Sequence, residues 1–415
     1  MHKYPTRMLI ISAILLSYPA LLFAIKGGIS TSFFLLAALS LFIIFKQGRD
    51  HPKYFDSSTI ALTVAMSSVM VAIFLSQAYH DDFNLRPYDA ASRFLLAIPI
   101  YLALKNTNIR AISSFQYGLP LGAIAALLVV WLMQGHYVGT ERASTAFMHP
   151  IFFGDLALML GFLSLFSIHW LSKDSTSVVA LKTFGCLAGI YVSVLSESRG
   201  GWITIPILLA IWLIFQNQKR RLIKLAYAFP LLLLSLLASY YFVDIVQQRI
   251  DQIFYDLADF SNGQADTSVG QRLQLWKAAL YLYGNNPVFG VGPEGFARSM
   301  TALSQSGIIT EEAAQLGRGE VHSQILASLV GLGIPGLLSI LSIYFVPLFM
   351  FWKSTKSSVN TKQAAGVMGI CLTLSFLIFG LTVETFNIKM IVSFYSLTLA
   401  VLLAIATHNE VAAPT

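Results

Sequence analysis

Three residues carry the most chemistry for their place in the chain: Arg199, Arg272 and His322. Arg199 stands in Ser196-Glu-Ser-Arg-Gly-Gly-Trp202, a tight turn between two apolar runs. A charge at or near membrane depth is costly and marks a functional site by default. The structural alternative is an interfacial arginine that snorkels to phospholipid headgroups. Arg272 follows Ser268-Val-Gly-Gln271, which fits a capping box at a helix start. A guanidinium beside free N–H groups and a positive dipole end is a good anion site, unless it is solvated or paired with a loop acid. His322 stands in Arg318-Gly-Glu-Val-His-Ser-Gln-Ile325, where the next apolar run begins. A neutral imidazole at a helix start can accept a proton; the alternative is a structural histidine bonded to a backbone carbonyl. Together the three residue types offer anion binding beside a proton acceptor.

Around them, Arg142, Arg318, Glu320, Trp276 and Arg86 are candidate substrate-binding residues, and His149, Arg93 and Lys389 are further cations for a basic cavity. Glu197, Glu320 and Glu384 are placed to orient a histidine or an arginine, and Asp155 to cap its helix. Gly200 and Gly201 let a ligand approach the backbone closely. Asn286-Pro-Val-Phe-Gly-Val-Gly-Pro-Glu-Gly-Phe296 contains G-x-G-x-x-G, but no strand precedes it and Pro293 interrupts it, so its glycines shape a loop and bind no dinucleotide. No metal motif or cofactor motif appears, and no D-x-D or clustered carboxylate set would hold a divalent cation over a diphosphate. A diphosphate here would be neutralised by arginines, whose forks match phosphate oxygens.

The elements that must position these residues are membrane spans. Of 415 residues 56% are hydrophobic and only 11% charged, with mean hydropathy +0.69. An ordinary soluble chain is about 25% charged, so a soluble core protein, disorder and coiled coil are excluded. The apolar runs are continuous, unlike the alternating strands of a barrel. They fall near 8–25, 29–45, 57–79, 90–104, 111–134, 151–171, 177–195, 202–215, 224–243, 323–351, 363–383 and 390–407. Each suits a helix, since a span needs about 20 residues. The expected fold is an all-α polytopic membrane protein of about 12 transmembrane helices. Its domains are 1–243 with nine spans, a large loop 244–322 with short helices, and 323–415 with three spans and a short tail.

Alternate connecting segments hold 16 of the 27 Lys and Arg on one side, which the positive-inside rule places in the cytoplasm with both termini. The net charge of +7 therefore reads as orientation, not nucleic-acid binding. The large loop then faces outward, the periplasm in a Gram-negative cell. Within it Val269, Leu273, Trp276, Leu280 and Tyr283 recur at helical spacing until Asn285-Asn286-Pro287 ends the run. Cys186 and Cys371 both lie inside apolar runs, which disfavours a disulfide.

S-x-S-R-G-G-W at 196–202, G-Q-R-x-x-x-W at 270–276, N-P-x-x-G-x-G-x-x-x-F at 286–296 and E-x-H-S-x-x-L at 320–326 occur in this order around one large outer loop. This ordered set resembles the O-antigen ligase and O-antigen polymerase superfamily. Members often carry Asn after the histidine, where this chain has Ser323. The resemblance implies a GT-C-like, inverting, metal-independent glycosyltransferase of the bacterial inner membrane with its active site facing the periplasm. The implied donor is O-antigen on undecaprenyl diphosphate, held by Arg199 and Arg272, with His322 as general base. The implied acceptor for a ligase is the outer core of lipid A, with membrane lipids as further partners. A polymerase would extend the chain on the carrier. A protein O-oligosaccharyltransferase usually has a further C-terminal periplasmic domain, where this chain ends about eight residues after its last span. The expectation is a ligase of lipopolysaccharide biosynthesis, with the polymerase second. From a different class, a transporter of lipid-linked glycans would need polar groups at the midplane.

Overall fold

In lipid a backbone has no water to bond with, so each apolar run closes its own hydrogen bonds as a helix. The computed structural model describes residues 6–47, 56–133, 142–215, 244–262 and 264–408, with Pro230, Tyr240 and Tyr241. The helices are α1 (Thr6–Ala24), α2 (Gly28–Gln47), α3 (Ser57–His80), α4 (Arg86–Lys105), α5 (Ile109–Ile112) and α6 (Phe115–Met133). There follow α7 (Pro150–Phe166), α8 (Thr176–Leu195), α9 (Arg199–Trp202) and α10 (Thr204–Phe215). Next come α11 (Asp244–Ser261), α12 (Ser268–Asn285), α13 (Gly295–Gln305) and α14 (Glu311–Gly317). The chain ends in α15 (Gln324–Ser354), α16 (Asn360–Phe379), a 3-10 turn (Thr385–Asn387) and α17 (Lys389–Ala406). Among the described residues the one β feature is an isolated bridge between Thr145 and Met148.

Eight described helices are long and apolar enough to cross a membrane, with 150–166 and 199–215 as shorter apolar segments. The protein is a multi-pass helical membrane protein. The expected ninth span, 224–243, lies outside the described residues apart from Pro230, Tyr240 and Tyr241. Of the long spans α17 is the most enclosed, with 89% of its residues buried. It packs against α2, α4, α15 and α16. Phe94, Phe376, Phe386 and Tyr395 interlock around it. Phe34, Phe42, Phe45, Val64 and Phe74 of α2 and α3 are exposed, which suits a lipid-facing surface.

The tenth expected span is a broken helix. Gly333, inside α15, has φ 66° and ψ −150°, so the helical ladder stops there. The glycine-rich segment after α12 fills the break. Val291 N–H donates to the Val330 carbonyl at 2.8 Å, and Ile334 N–H to the Val288 carbonyl at 3.2 Å. From α3, the Ser76 hydroxyl donates to the Phe289 carbonyl at 2.8 Å, and His80 Nε2 lies 2.8 Å from the Gly290 carbonyl. A Cβ on Gly333 would sit 2.2 Å from the Val288 oxygen, and one on Gly290, at φ +68°, 2.5 Å from the Val330 oxygen. These glycines allow two backbones to meet.

The large loop is four helices, α11 to α14. Two sequence expectations shift here. Thr267, not Ser268, caps α12, its hydroxyl accepting from Gly270 N–H at 3.1 Å. Arg272 therefore lies one turn inside the helix, away from its free N–H groups. The buried stripe of α12 is Gly270, Gln274, Leu275, Ala278 and Ala279, while Leu280 is exposed. The large apolar side chains misled the phase because α11, α14 and α15 pack on α12 and decide which of its faces is buried.

Candidate active site

A short ledge, Glu320 to Gln324, leads into α15 and is held from several sides. Val321 N–H donates to the Glu384 carboxylate, and Glu384 N–H donates to Glu320 Oε2 at 3.0 Å. Gln324 N–H donates to the Gly380 carbonyl at 2.7 Å, and Phe386 N–H donates to Gln324 Oε1 at 2.7 Å. Trp276 of α12 donates its indole N–H to the His322 carbonyl at 3.3 Å. Ser323 caps α15, its hydroxyl accepting from Leu326 N–H at 3.4 Å. The residue that departs from the family pattern is thus a good N-cap.

His322 is the strained member, with φ +58°. That conformation costs a non-glycine residue roughly 1–2 kcal/mol and persists only where neighbours over-determine it. Here the bonds on both flanks do so. The ring is 7% exposed, and Nδ1 lies 2.9 Å from Glu320 Oε1. Nε2 is buried and has no hydrogen-bond partner among the described residues. Burial alone would raise the Glu320 carboxyl. The bond to His322 and its charge, the Glu384 N–H and nearby His149 together hold it below its usual value.

Arg199 begins α9 after a turn in which Glu197 has φ +53°. Arg142 clamps that turn: its Nε donates to the Ser196 carbonyl at 2.8 Å and its Nη2 to the Glu197 carbonyl at 3.0 Å. Ser198 donates to Asp155 Oδ1 at 2.5 Å. A Cβ on Gly201 would sit 2.4 Å from Asp155 Oδ1, and one on Gly200 2.8 Å from Thr382 Oγ1. The paired glycines therefore admit the protein's own α7 and 380–384 segment; the close approach expected for a ligand is taken by these. Asp155 does not cap α7 either; His149 does, its Nδ1 accepting from Ile151 N–H at 3.4 Å.

Arg199, Arg272 and the ledge converge. Arg199 Nη2 donates to Gln252 Oε1 of α11 at 3.2 Å. Arg272 is lowered from its ordinary value by burial first and then by the Arg199 charge, with Glu320 and Asp256 opposing. Its Nε is buried with no hydrogen-bond partner among the described residues. His149 is lowered by burial and by Arg142, and feels both Glu320 and His322. The result is a half-buried guanidinium pair, with Arg272 Nε lacking a partner among the described residues, beside a carboxylate-paired imidazole. Electrostatically, an added anion would relieve both arginines. Among the described residues no three His, Cys, Asp or Glu side chains are grouped to hold a metal ion.

Arg86 and Arg318 go elsewhere. They line a half-open cavity of about 600 Å³ on which Glu320, Val321 and Gln324 also border. Sequence reading missed Asp256 and Gln252, which approach Arg199 and Arg272 from α11. Asp256 is buried in a helix otherwise rich in exposed side chains, and nothing in its spacing distinguishes it from the other loop acids.

Fold and site define a polytopic membrane protein with a half-buried arginine pair beside a histidine–glutamate pair. A family model described as O-antigen ligase matches residues 184–341, a stretch that spans Arg199, Arg272 and His322. Over that stretch the chain is similar to that family. It is similar to an O-antigen ligase of Escherichia coli K12, 25% identical over 227 residues, 54% of this chain and 51% of that protein. It is also 27% identical over 308 residues to an uncharacterized protein of Haemophilus influenzae, 73% of this chain and 75% of that one.

Proposed function

We propose that the protein transfers O-antigen polysaccharide from undecaprenyl diphosphate to an outer-core sugar of lipid A–core, at the periplasmic face of the bacterial inner membrane. Both termini lie in the cytoplasm in this reading. The observation that carries it is the convergence of Arg199 and Arg272, whose Nε has no partner among the described residues, on the same end of the bundle as the His322–Glu320 pair.

Arg199 and Arg272 hold the diphosphate of the donor, and Arg142 keeps the turn beneath Arg199 in place. His322 takes the proton of the acceptor hydroxyl while Glu320 fixes the ring. The acceptor oxygen bonds to the anomeric carbon from the face opposite the diphosphate. The bond from that carbon to the diphosphate oxygen breaks, and its electron pair leaves with undecaprenyl diphosphate. The configuration inverts. The arginines stabilise the charge that grows on the leaving group, which is where preorganised donors act most strongly.

A positioned general base typically contributes 10²–10⁴-fold, so His322→Ala should lower transfer by about that much with the protein still inserted and folded. The check is lipopolysaccharide profiling of a deletion strain complemented with wild type or His322→Ala. Loss of all O-antigen from lipid A–core, with long chains accumulating on the carrier, supports the ligase. A core bearing a single repeat unit would instead identify a polymerase. An unchanged profile would overturn both.

A further inference from the structure

The 600 Å³ cavity lies beside the Glu320–Gln324 ledge and holds neither Arg199 nor Arg272 in its wall. Its floor is apolar and is laid by spans: Val69 and Ile73 of α3, Phe94 of α4, Leu332 and Ile340 of α15. Its mouth is polar and is built by three arginines from three separate elements: Arg86 at the start of α4, Arg298 in α13 and Arg318 after α14.

Each mouth arginine has a carboxylate partner on the surface. Arg86 lies 3.6 Å from Glu294, Arg298 2.8 Å from Asp82, and Arg318 3.5 Å from Glu311. These side chains are 84%, 57% and 48% exposed. Ion pairs so exposed contribute roughly 0–1 kcal/mol and exchange readily. A phosphate, which a guanidinium binds in a two-pronged fork, can displace them. The acids in the wall oppose this weakly. Glu320 is paired with His322, and burial raises Glu384 to about 8, so it is largely uncharged near neutral pH.

An apolar floor at span depth beneath a mouth of exchangeable arginines suits an amphiphile with anionic groups on its sugars. The ledge joins this cavity to the transfer site, because Glu320 lines the cavity and lies 2.9 Å from His322 Nδ1. We infer that this cavity is the acceptor site, that it takes a glycolipid bearing phosphate on its headgroup, and that Arg86, Arg298 and Arg318 recognise those phosphates. This rests on the transfer reaction proposed above. Donor and acceptor then approach the ledge from different compartments, with Glu320 as their shared wall.

The test is direct binding to the full-length protein in phosphatidylcholine nanodiscs without donor. The probes are purified lipid A–core, the same glycolipid after phosphatase treatment, phosphatidylglycerol, and undecaprenyl diphosphate. Native lipid A–core should bind at least about tenfold more tightly than its dephosphorylated form. Arg86→Ala/Arg318→Ala should remove most of that difference while leaving undecaprenyl diphosphate binding intact. Arg199→Ala/Arg272→Ala should do the reverse. Equal binding of the two glycolipid forms would overturn the inference. So would displacement by phosphatidylglycerol at equal affinity, which would mark a general anionic-lipid groove. Loss of undecaprenyl diphosphate binding in the mouth variant would overturn it by making the cavity a donor site. Phosphate-dependent binding with no glycan transfer by wild type would sink the ligase reading and with it the acceptor role, leaving only a phosphoglycolipid-binding cavity.

Discussion

Two groups of arginines lie at the same end of this bundle, and their surroundings differ. Arg199 and Arg272 are half-buried, close enough for one to depress the other, and Arg272 Nε has no partner among the described residues. Arg86, Arg298 and Arg318 are exposed, and each stands beside a carboxylate. A half-buried arginine pair with a donor left unmet is costly without an anion and is stabilised when one arrives, so it suits a group that gains charge during reaction. Exposed, exchangeable pairs cost little and suit recognition of a charge that does not change. In the proposed reaction the first group stabilises the leaving group and the second holds the acceptor, with the ledge between them.

The sharpest way to break that comparison is at the buried pair. Arg272→Ala or Arg199→Ala should each lower the turnover of transfer by about 10²-fold, the usual scale for losing one charge-stabilising donor. Lysine should restore little, since a point charge does not reproduce the fork. Turnover near wild type in Arg272→Lys, measured with purified donor and acceptor, would remove the diphosphate contact from the argument. The same substitutions at Arg86 or Arg318 should change acceptor KM and leave turnover at saturation within about twofold.

Glu320 stands between the two groups. Glu320→Gln keeps the shape of the ledge but weakens the hold on His322, so turnover should fall by roughly 10-fold or more and the pH–rate profile should shift. A variant with an unchanged profile would show that Glu320 does not act through the histidine. Gly333→Ala tests the floor beneath both regions. Its Cβ would meet the Val288 oxygen at 2.2 Å, so the glycine-rich segment must leave the broken α15. Thermal unfolding in detergent should report a loss of about 1–3 kcal/mol. An unchanged midpoint would mean that the break is not held by this contact.

The smallest expected effect is in the dependence on pH. Glu384 is raised from 4.5 to about 8, chiefly by burial, with Glu320 adding to it. The folded protein therefore keeps a proton that the unfolded chain releases above about 4.5. The stability this group contributes is full below 4.5 and is lost as pH climbs through 8. Glu384→Gln should flatten unfolding midpoints between about pH 4.5 and 8. If wild type and variant fall in parallel, Glu384 is not the titrating group.

How much was legible in the sequence follows from which forces are local. The helices could be read because apolar runs long enough to span must satisfy their own backbone. The end of α12 at Asn285 followed from Asn-Asn-Pro. Arg199, Arg272 and His322 stood out because a charge or a lone imidazole beside an apolar run needs a reason to be there. The phase and cap of α12 were misread, since the residues that decide its buried face belong to α11, α14 and α15, outside its own stretch of sequence. Asp256 stayed hidden for the same reason: among nine loop acids, only packing decides which one is buried beside two arginines.

The sequence by itself determined a multi-pass helical protein and the residue types of its chemistry, because hydropathy and spacing act over one or two turns. Only the tertiary structure decided which arginines share a site. It broke α15 at Gly333 to receive a distant loop, and it tied the ledge between Trp276, Gly380 and Glu384. It also parted Arg86 and Arg318 from Arg199 and Arg272. Those outcomes depend on contacts between residues up to hundreds of positions apart, and no local pattern encodes the geometry in which they meet.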